Sequence, residues 1–183
     1  MKTEEEGFVY LLWKPIEFED GRKERSLKVG HTNKLKDRMN GYKSDNGLKD
    51  VGWTFLRAIP GSKKKERYIH VLFRDILQYD PETKRRLEWT IKWSQKLIDA
   101  FFVSEEDLGK FLWEHRDKYL IPYLKEGGKA KTAYNDLKEI YLPNGIDELR
   151  PKRGRKPGSK NKSKINSEKL TLNCLNYVEK FYD

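Results

Sequence analysis

Cationic and hydrogen-bonding side chains gather in one stretch of this chain, KVGHTNKLKDR at 28–38, which holds Lys28, Gly30, His31 and Arg38. A short apolar run into a glycine, then a basic helix presenting an arginine, is one way to aim such groups at a phosphate. Taken alone the pattern is weak. Its weight comes from an aromatic strand before it, which carries Tyr10, and from a later helix that carries Glu66. Ile69, Leu72, Phe73 and Ile76 space out as a buried stripe on that helix. One turn back the stripe meets Glu66, close to the helix N-terminus, where the dipole supports a carboxylate's charge. A solvating glutamate is not placed like that. His70, one turn further on, is open to three readings: a second ligand, a proton carrier, or a packed histidine bonded to a carbonyl.

The elements that must position these groups follow from periodicity. Residues 8–13, FVYLLW, read as a strand covered on both faces, with Phe8, Tyr10 and Leu12 on one side and Val9, Leu11 and Trp13 on the other. Residues 15–25 are polar with an Asp20-Gly21 turn signal, so 26–31 should return antiparallel to the first strand. Tyr10, Lys28 and Gly30 then share one face. A helix capped by Asn33, with Leu35 and Met39 inward, should end near Gly41. A third strand is expected over 51–59, closed by Pro60-Gly61, and Ser62 should cap the helix that carries Glu66.

Further on, 87–93 reads as strand or short helix and 98–103 as strand. Ser104, with Asp107 completing a capping box, should start a helix through Leu120. The compact unit is expected over 5–123: an α+β fold with a small central antiparallel three-stranded sheet flanked by helices. A helical linker at 124–150, a basic segment at 151–164 and a last helix at 165–183 should follow.

Composition bounds the partner. Lys+Arg 39 against Asp+Glu 29 gives a net charge of +10, which favours a polyanion, nucleic acid first. A well-solvated basic surface is the plainer alternative. Five Trp, ten Tyr and eight Phe argue against simple disorder in a chain this polar. The lone Cys174 excludes an internal disulfide and a cysteine-based zinc site. The opening MKTEEEG lacks the basic and apolar regions of a signal peptide, and no run nears the ~18 apolar residues of a membrane span. An intracellular protein without a membrane partner, in cytoplasm or nucleus with DNA, is the expectation.

The arrangement resembles the GIY-YIG nuclease superfamily. Phe8-Val9-Tyr10 stands where that family has its first motif and Lys28-Val29-Gly30 where it has its second. Arg38, eight residues after Gly30, matches the family's helix arginine, and Glu66 its metal-binding glutamate. The likeness covers about residues 7–110. The first motif opens with Phe8, with Gly7 one place earlier, and Lys28 replaces the second motif's tyrosine. Lysine there, with Glu66 followed by His70, looks like the branch found in phages and large DNA viruses. Asp99-Ala100-Phe101 is the nearest match to that branch's acid-aromatic motif.

The resemblance implies a metal-dependent endonuclease acting on double-stranded DNA. Hydrolysis of a phosphodiester needs a positioned water, a proton acceptor, and cations to hold charge growing on phosphorus. Glu66 would bind Mg²⁺ or Mn²⁺ as a hard oxygen ligand. Arg38 would clamp a phosphate oxygen through its guanidinium fork. Tyr10 would orient the water, directly or after losing its proton. Lys28 could hold Tyr10 as phenolate or contact phosphate, and His31 could donate to phosphate. Taken singly, most of these have plainer roles: a sheet tyrosine, an edge lysine, a surface arginine, a strand-end histidine.

In the basic segment, Lys152-Arg153-Gly154-Arg155-Lys156-Pro157-Gly158 resembles an AT-hook, which lays arginines along a narrow A·T minor groove. Lys160 and its neighbours extend the charge. A generic basic linker or an import tag would read similarly, and all should bind phosphate with salt-sensitive affinity. Two alternatives to the nuclease stay open: a DNA-binding regulator on the same fold without turnover, and a packaging protein that uses the tail alone.

Overall fold

The computed structural model describes residues 7–143. The AT-hook-like segment, with Lys152, Arg153, Arg155, Lys156 and Lys160, and the helix expected over 165–183 lie outside the described residues. The chain forms strands β1 (Gly7–Glu17) and β2 (Lys23–Thr32), helices α1 (Leu35–Ser44) and α2 (Asn46–Lys49), strand β3 (Thr54–Gly61) and helix α3 (Lys63–Leu72). Strands β4 (Leu77–Asp80) and β5 (Arg85–Thr90) follow, then helices α4 (Gln95–Phe102), α5 (Glu105–Glu114), α6 (Arg116–Tyr119) and α7 (Gly128–Tyr141). Turns of 3₁₀ helix lie at Arg74–Ile76 and Ile121–Glu126. The sheet has five antiparallel strands in the order β3-β1-β2-β5-β4. The α+β class holds, but two strands join the three expected. No helix among the described residues is long and apolar enough to cross a membrane.

The β1–β2 ladder keeps the expected parity and runs further than expected. Pairing continues to Glu17↔Lys23, so only 18–22 remain as the turn, with Gly21 at φ +78°. Pro15 is tolerated inside β1 because β3 stops pairing at Trp13↔Thr54, which leaves that side of β1 a free edge. Val9 and Leu11 face the larger core with Leu27 and Val29, under α3, α4, α5 and α7. Tyr10 and Leu12 face a smaller core with Tyr42 of α1 and Leu48 of α2.

Several expected boundaries move. The third strand begins at Thr54 rather than Val51, because α2 ends in a glycine turn at Gly52, φ +79°. It also includes Pro60 and Gly61, which pair with Phe8 and Gly7, and an outer strand accepts that proline. Ser62 caps α3 as expected, its Oγ accepting from the Lys64 amide at 3.0 Å. Asn33 does not cap α1; the N-cap is Lys34, without a side-chain bond. The helix passes Gly41 to Ser44, whose hydroxyl donates to the Gly41 carbonyl.

The stretch 98–103 is helix, not strand. Leu97 and Phe101, four apart, are both buried, and Ser94 caps the helix through the Leu97 amide. The contiguous apolar run looked like a strand only because its partner Leu97 lay outside it. Ser104 caps the helix as expected, its Oγ accepting from the Asp107 amide, but the Asp107 carboxylate accepts from the Ser104 hydroxyl instead of closing a capping box, and the helix breaks at His115 into α5 and α6. The undecided 87–93 is largely β5. Thr90 ties it to β2, its carbonyl accepting from the Ser26 hydroxyl and its Oγ1 from the Leu27 amide at 2.8 Å.

Helix α7, expected as part of a linker, packs into the larger core through Ala130, Ala133, Tyr134 and Leu137. Gly109 of α5 lets it come close: a Cβ there would lie 3.1 Å from Leu137 and 3.2 Å from Tyr68. An ion pair between Arg67 and Asp136 ties α7 to α3.

Candidate functional site

On the α1 face, register sets Tyr10 opposite Gly30. A Cβ on Gly30 would fall 2.3 Å from the Tyr10 hydroxyl, so the ring lies across space that only glycine leaves. The hydroxyl bonds that of Tyr42 at 2.7 Å, and Tyr42 stands edge-on to Tyr10 and to Trp53. Burial, then the Tyr42 bond, push the Tyr10 phenol well above its ordinary pKa, against a smaller pull down by Arg38. Tyr10 is therefore a neutral phenol at physiological pH. Because its ring is 2% exposed and cannot swing aside, Gly30→Ala should destabilise the fold by about 1–3 kcal/mol, read as a lowered midpoint in denaturant.

Lys28, on the same face, turns to Glu88 of β5, Nζ to Oε2 2.9 Å, and lies over the rings of Tyr42 and Trp89. Burial lowers its pKa, but the hydrogen bond and charge of Glu88 outweigh that and leave it raised. Lys28 is thus a fixed cation whose partner is a carboxylate. Arg38 is exposed on α1, one turn before Tyr42, and the two share a cleft of about 430 Å³ with Thr32, Lys34, Asp37 and Asp45.

On the opposite face, α3 buries Glu66 and His70, at 6% and 3% exposure. β5 meets β2 at Lys28↔Trp89 and pairs no further toward Val29. The Val29 carbonyl on that open edge is taken by His70 Nε2 at 2.9 Å. A carbonyl can only accept, so Nε2 carries the proton and Nδ1 presents a lone pair. That lone pair meets Lys129 Nζ of α7, which also lies 3.3 Å from Glu66 Oε1 and 3.6 Å from Glu88 Oε1. Burial, then the charge of Lys129, hold the imidazole down to about 3. His70 is neutral, so its 3.5 Å approach to Glu66 is not an ion pair. Glu88 is pushed up by burial and pulled further down by Lys28 and Lys129.

The expected residues therefore form two groups, Tyr10, Lys28 and Arg38 on one face and Glu66 and His70 on the other. Glu88 and Lys129 join them where β5 leaves β2. His31 belongs to neither ion-pair chain: it packs against Gly7 at the start of β1, and its buried Nε2 has no hydrogen-bond partner among the described residues. Asp99 sits on α4, accepting from Gln95, and Phe101 is core.

Sequence reasoning does not single out Tyr42, Glu88 or Lys129. Tyr42 has a signal, since a residue four after Arg38 shares its helix face, but a helix end expected at Gly41 hides it. Glu88 sits in a stretch whose pattern fits strand or helix alike, and Lys129 carries no signal.

Two carboxylate oxygens and an imidazole lone pair turn toward one positive charge, that of Lys129. Among the described residues no three His, Cys, Asp or Glu side chains close into a ligand set. Glu66 is the buried hard-oxygen donor that could hold a divalent ion, with water and phosphate as its other ligands.

Comparison with known proteins gives one result. The model of the T5orf172 domain matches residues 7–106, from the start of β1 into α5. No curated protein and no solved structure matches. The matched span is more than half of the 183 residues and carries every expected site residue outside the tail. The chain belongs to the T5orf172 domain family, which occurs in phage-type nuclease-like proteins and is loosely related to the GIY-YIG type.

Proposed function

We propose that this protein is a metal-dependent endonuclease of GIY-YIG type that hydrolyses phosphodiester bonds in double-stranded DNA. The observation that carries the reading is the buried Glu66 carboxylate, already in contact with a cation and linked through Lys129, Glu88 and Lys28 to the face of Tyr10 and Arg38. Mg²⁺ or Mn²⁺ at Glu66 would supply Lewis-acid stabilisation of charge on the phosphate.

The chain's own groups divide the remaining work. Arg38, exposed and lining the cleft, clamps a non-bridging phosphate oxygen. Tyr42 lines that cleft and Tyr10 lies behind it, so Tyr42 meets the attacking water and Tyr10 holds the Tyr42 hydroxyl in place. Tyr10 keeps its proton and Lys28 its charge, so neither serves as base. The lone pair on His70 Nδ1 lies on the α3 face beside Glu66, covered by Lys129 at rest, and so belongs with the ion rather than with the water at Tyr42. The basic segment 151–164 adds salt-sensitive affinity for the duplex.

A second reading has one observation in its favour. The ammonium of Lys129 fills the place beside Glu66 that a metal would take, as expected of a DNA-binding regulator without turnover. A plasmid assay separates the two. Supercoiled DNA should become open-circular or linear with Mg²⁺ or Mn²⁺ and stay intact in EDTA. Binding without conversion under either ion would sustain the regulator instead.

A further inference from the structure

The geometry points to a second DNA-binding element, a basic groove between the β4–β5 hairpin and the start of α7 that holds the sugar–phosphate backbone beside the scissile position. The groove has a volume of about 430 Å³ and runs from His70 and Lys129 out to the hairpin. Arg74, Lys84, Arg85, Arg86 and Lys129 line it, against Glu126 as the only acid among its walls. Arg74 is answered by Glu126 and Lys129 by Glu66 and Glu88. That leaves Lys84, Arg85 and Arg86 without a carboxylate among the described residues.

Those three are consecutive, and they differ in a useful way. Arg86 is held in place, its guanidinium donating to the Leu77 carbonyl at 3.1 Å and lying over the Tyr79 ring. Lys84 sits at the hairpin turn with φ 54°, and both it and Arg85 are exposed. A fixed guanidinium preceded by two exposed cations suits a run of phosphates better than a single small anion, which would leave the outer charges unanswered. The inner end of the groove is formed by His70 and Lys129, the neighbours of Glu66, so a strand whose phosphate reaches Glu66 continues along this track. One wall, Glu126 to Ala130, lies beyond the 7–106 span of the family model. The groove is therefore completed by a part of the chain that the family domain does not include.

This inference rests on DNA being the substrate, and its test separates the two claims. Lys84→Gln/Arg85→Gln and Lys84→Glu/Arg85→Glu would be made in the full chain, with thermal melting as a check on folding. Binding to a fluorescein-labelled duplex is followed by anisotropy across a KCl series, beside the nicking assay. The glutamine pair should weaken binding about tenfold and lower the slope of log K against log salt by about 1 per side chain; the glutamate pair should weaken it further. Slopes equal to wild type in both variants would overturn the groove even if nicking persists. Reduced slopes in a protein that never nicks would keep the groove and remove the nuclease. Tighter binding of an RNA duplex of the same sequence would overturn the assignment to DNA.

Discussion

Glu66→Gln should abolish divalent-dependent cleavage while leaving duplex affinity within about twofold. Glutamine keeps the shape of the side chain and an oxygen that can accept from Lys129, so packing around α3 is preserved. What it removes is the negative charge, and a neutral amide is a poor ligand for a hard divalent ion. Glu66 is 6% exposed and offers nothing to a DNA backbone in the resting state, which is why affinity should hold. The rate should fall by at least about 10²-fold, the scale of losing one group aimed at the reacting charge. Stability should change little, because the substitution removes the cost of a buried carboxylate charge together with its pairing to the half-exposed Lys129, which retains Glu88. Matched rates of plasmid nicking in wild type and variant would take Glu66 out of the chemistry.

Which parts of this site could be read from the chain depends on how local their causes are. Tyr10, Lys28 and Gly30 were placed on one face by the two-residue period of paired strands, and the register Tyr10↔Gly30 bears this out. Glu66 is expected inside because Ile69, Leu72, Phe73 and Ile76 space out as a stripe that runs back onto it; the helix ends at Leu72 and only Ile69 of the four is fully buried, yet Ile69 and Glu66 do share the buried side of α3. Tyr42 obeyed the same helical rule and was missed through a boundary: glycine at 41 suggested an end, but Ser44 and Asp45 bond back to its carbonyl and carry the helix on. The run at 98–103 was misread because aromatic density favours strand locally, whereas burial of Leu97 with Phe101 needs a helix.

The remaining misses are not local at all. β4 and β5 are short, and β5 is fixed to β2 largely through Thr90, which bonds residues more than sixty positions away. No periodicity records such a contact. Glu88 inherits its position from that docking. Lys129 reaches the site only because α7 folds back through small residues, Ala130, Ala133 and Gly109, that permit close helix approach. Among 39 lysines and arginines, nothing in its immediate sequence singles it out.

Lys129→Met should make the protein depend on divalent ions for part of its stability and lower the metal concentration needed for cleavage. The ammonium stands within 3.6 Å of Glu66 Oε1 and Glu88 Oε1 and touches the His70 lone pair. An incoming cation must share those oxygens with it or displace it. Two unit charges 4 Å apart repel by about 4 kcal/mol at an effective dielectric of 20; Lys129 is half-exposed, so solvent screening brings this to about 1–2 kcal/mol. That corresponds to roughly tenfold in apparent metal affinity. Methionine keeps the length of the side chain and its packing on α7 but no charge, leaving Glu66 without a cation while Glu88 keeps Lys28. The metal-free variant should melt below wild type, and Mn²⁺ should raise its midpoint by more than it raises that of wild type. Calorimetry with and without Mn²⁺ reads this independently of turnover. Equal Mn²⁺-induced shifts in the two proteins would mean that Lys129 does not stand where the metal goes. A variant that gains the metal-dependent shift yet no longer nicks would assign the ammonium to the reaction itself, as a charge that withdraws from Glu66 and settles on the phosphate.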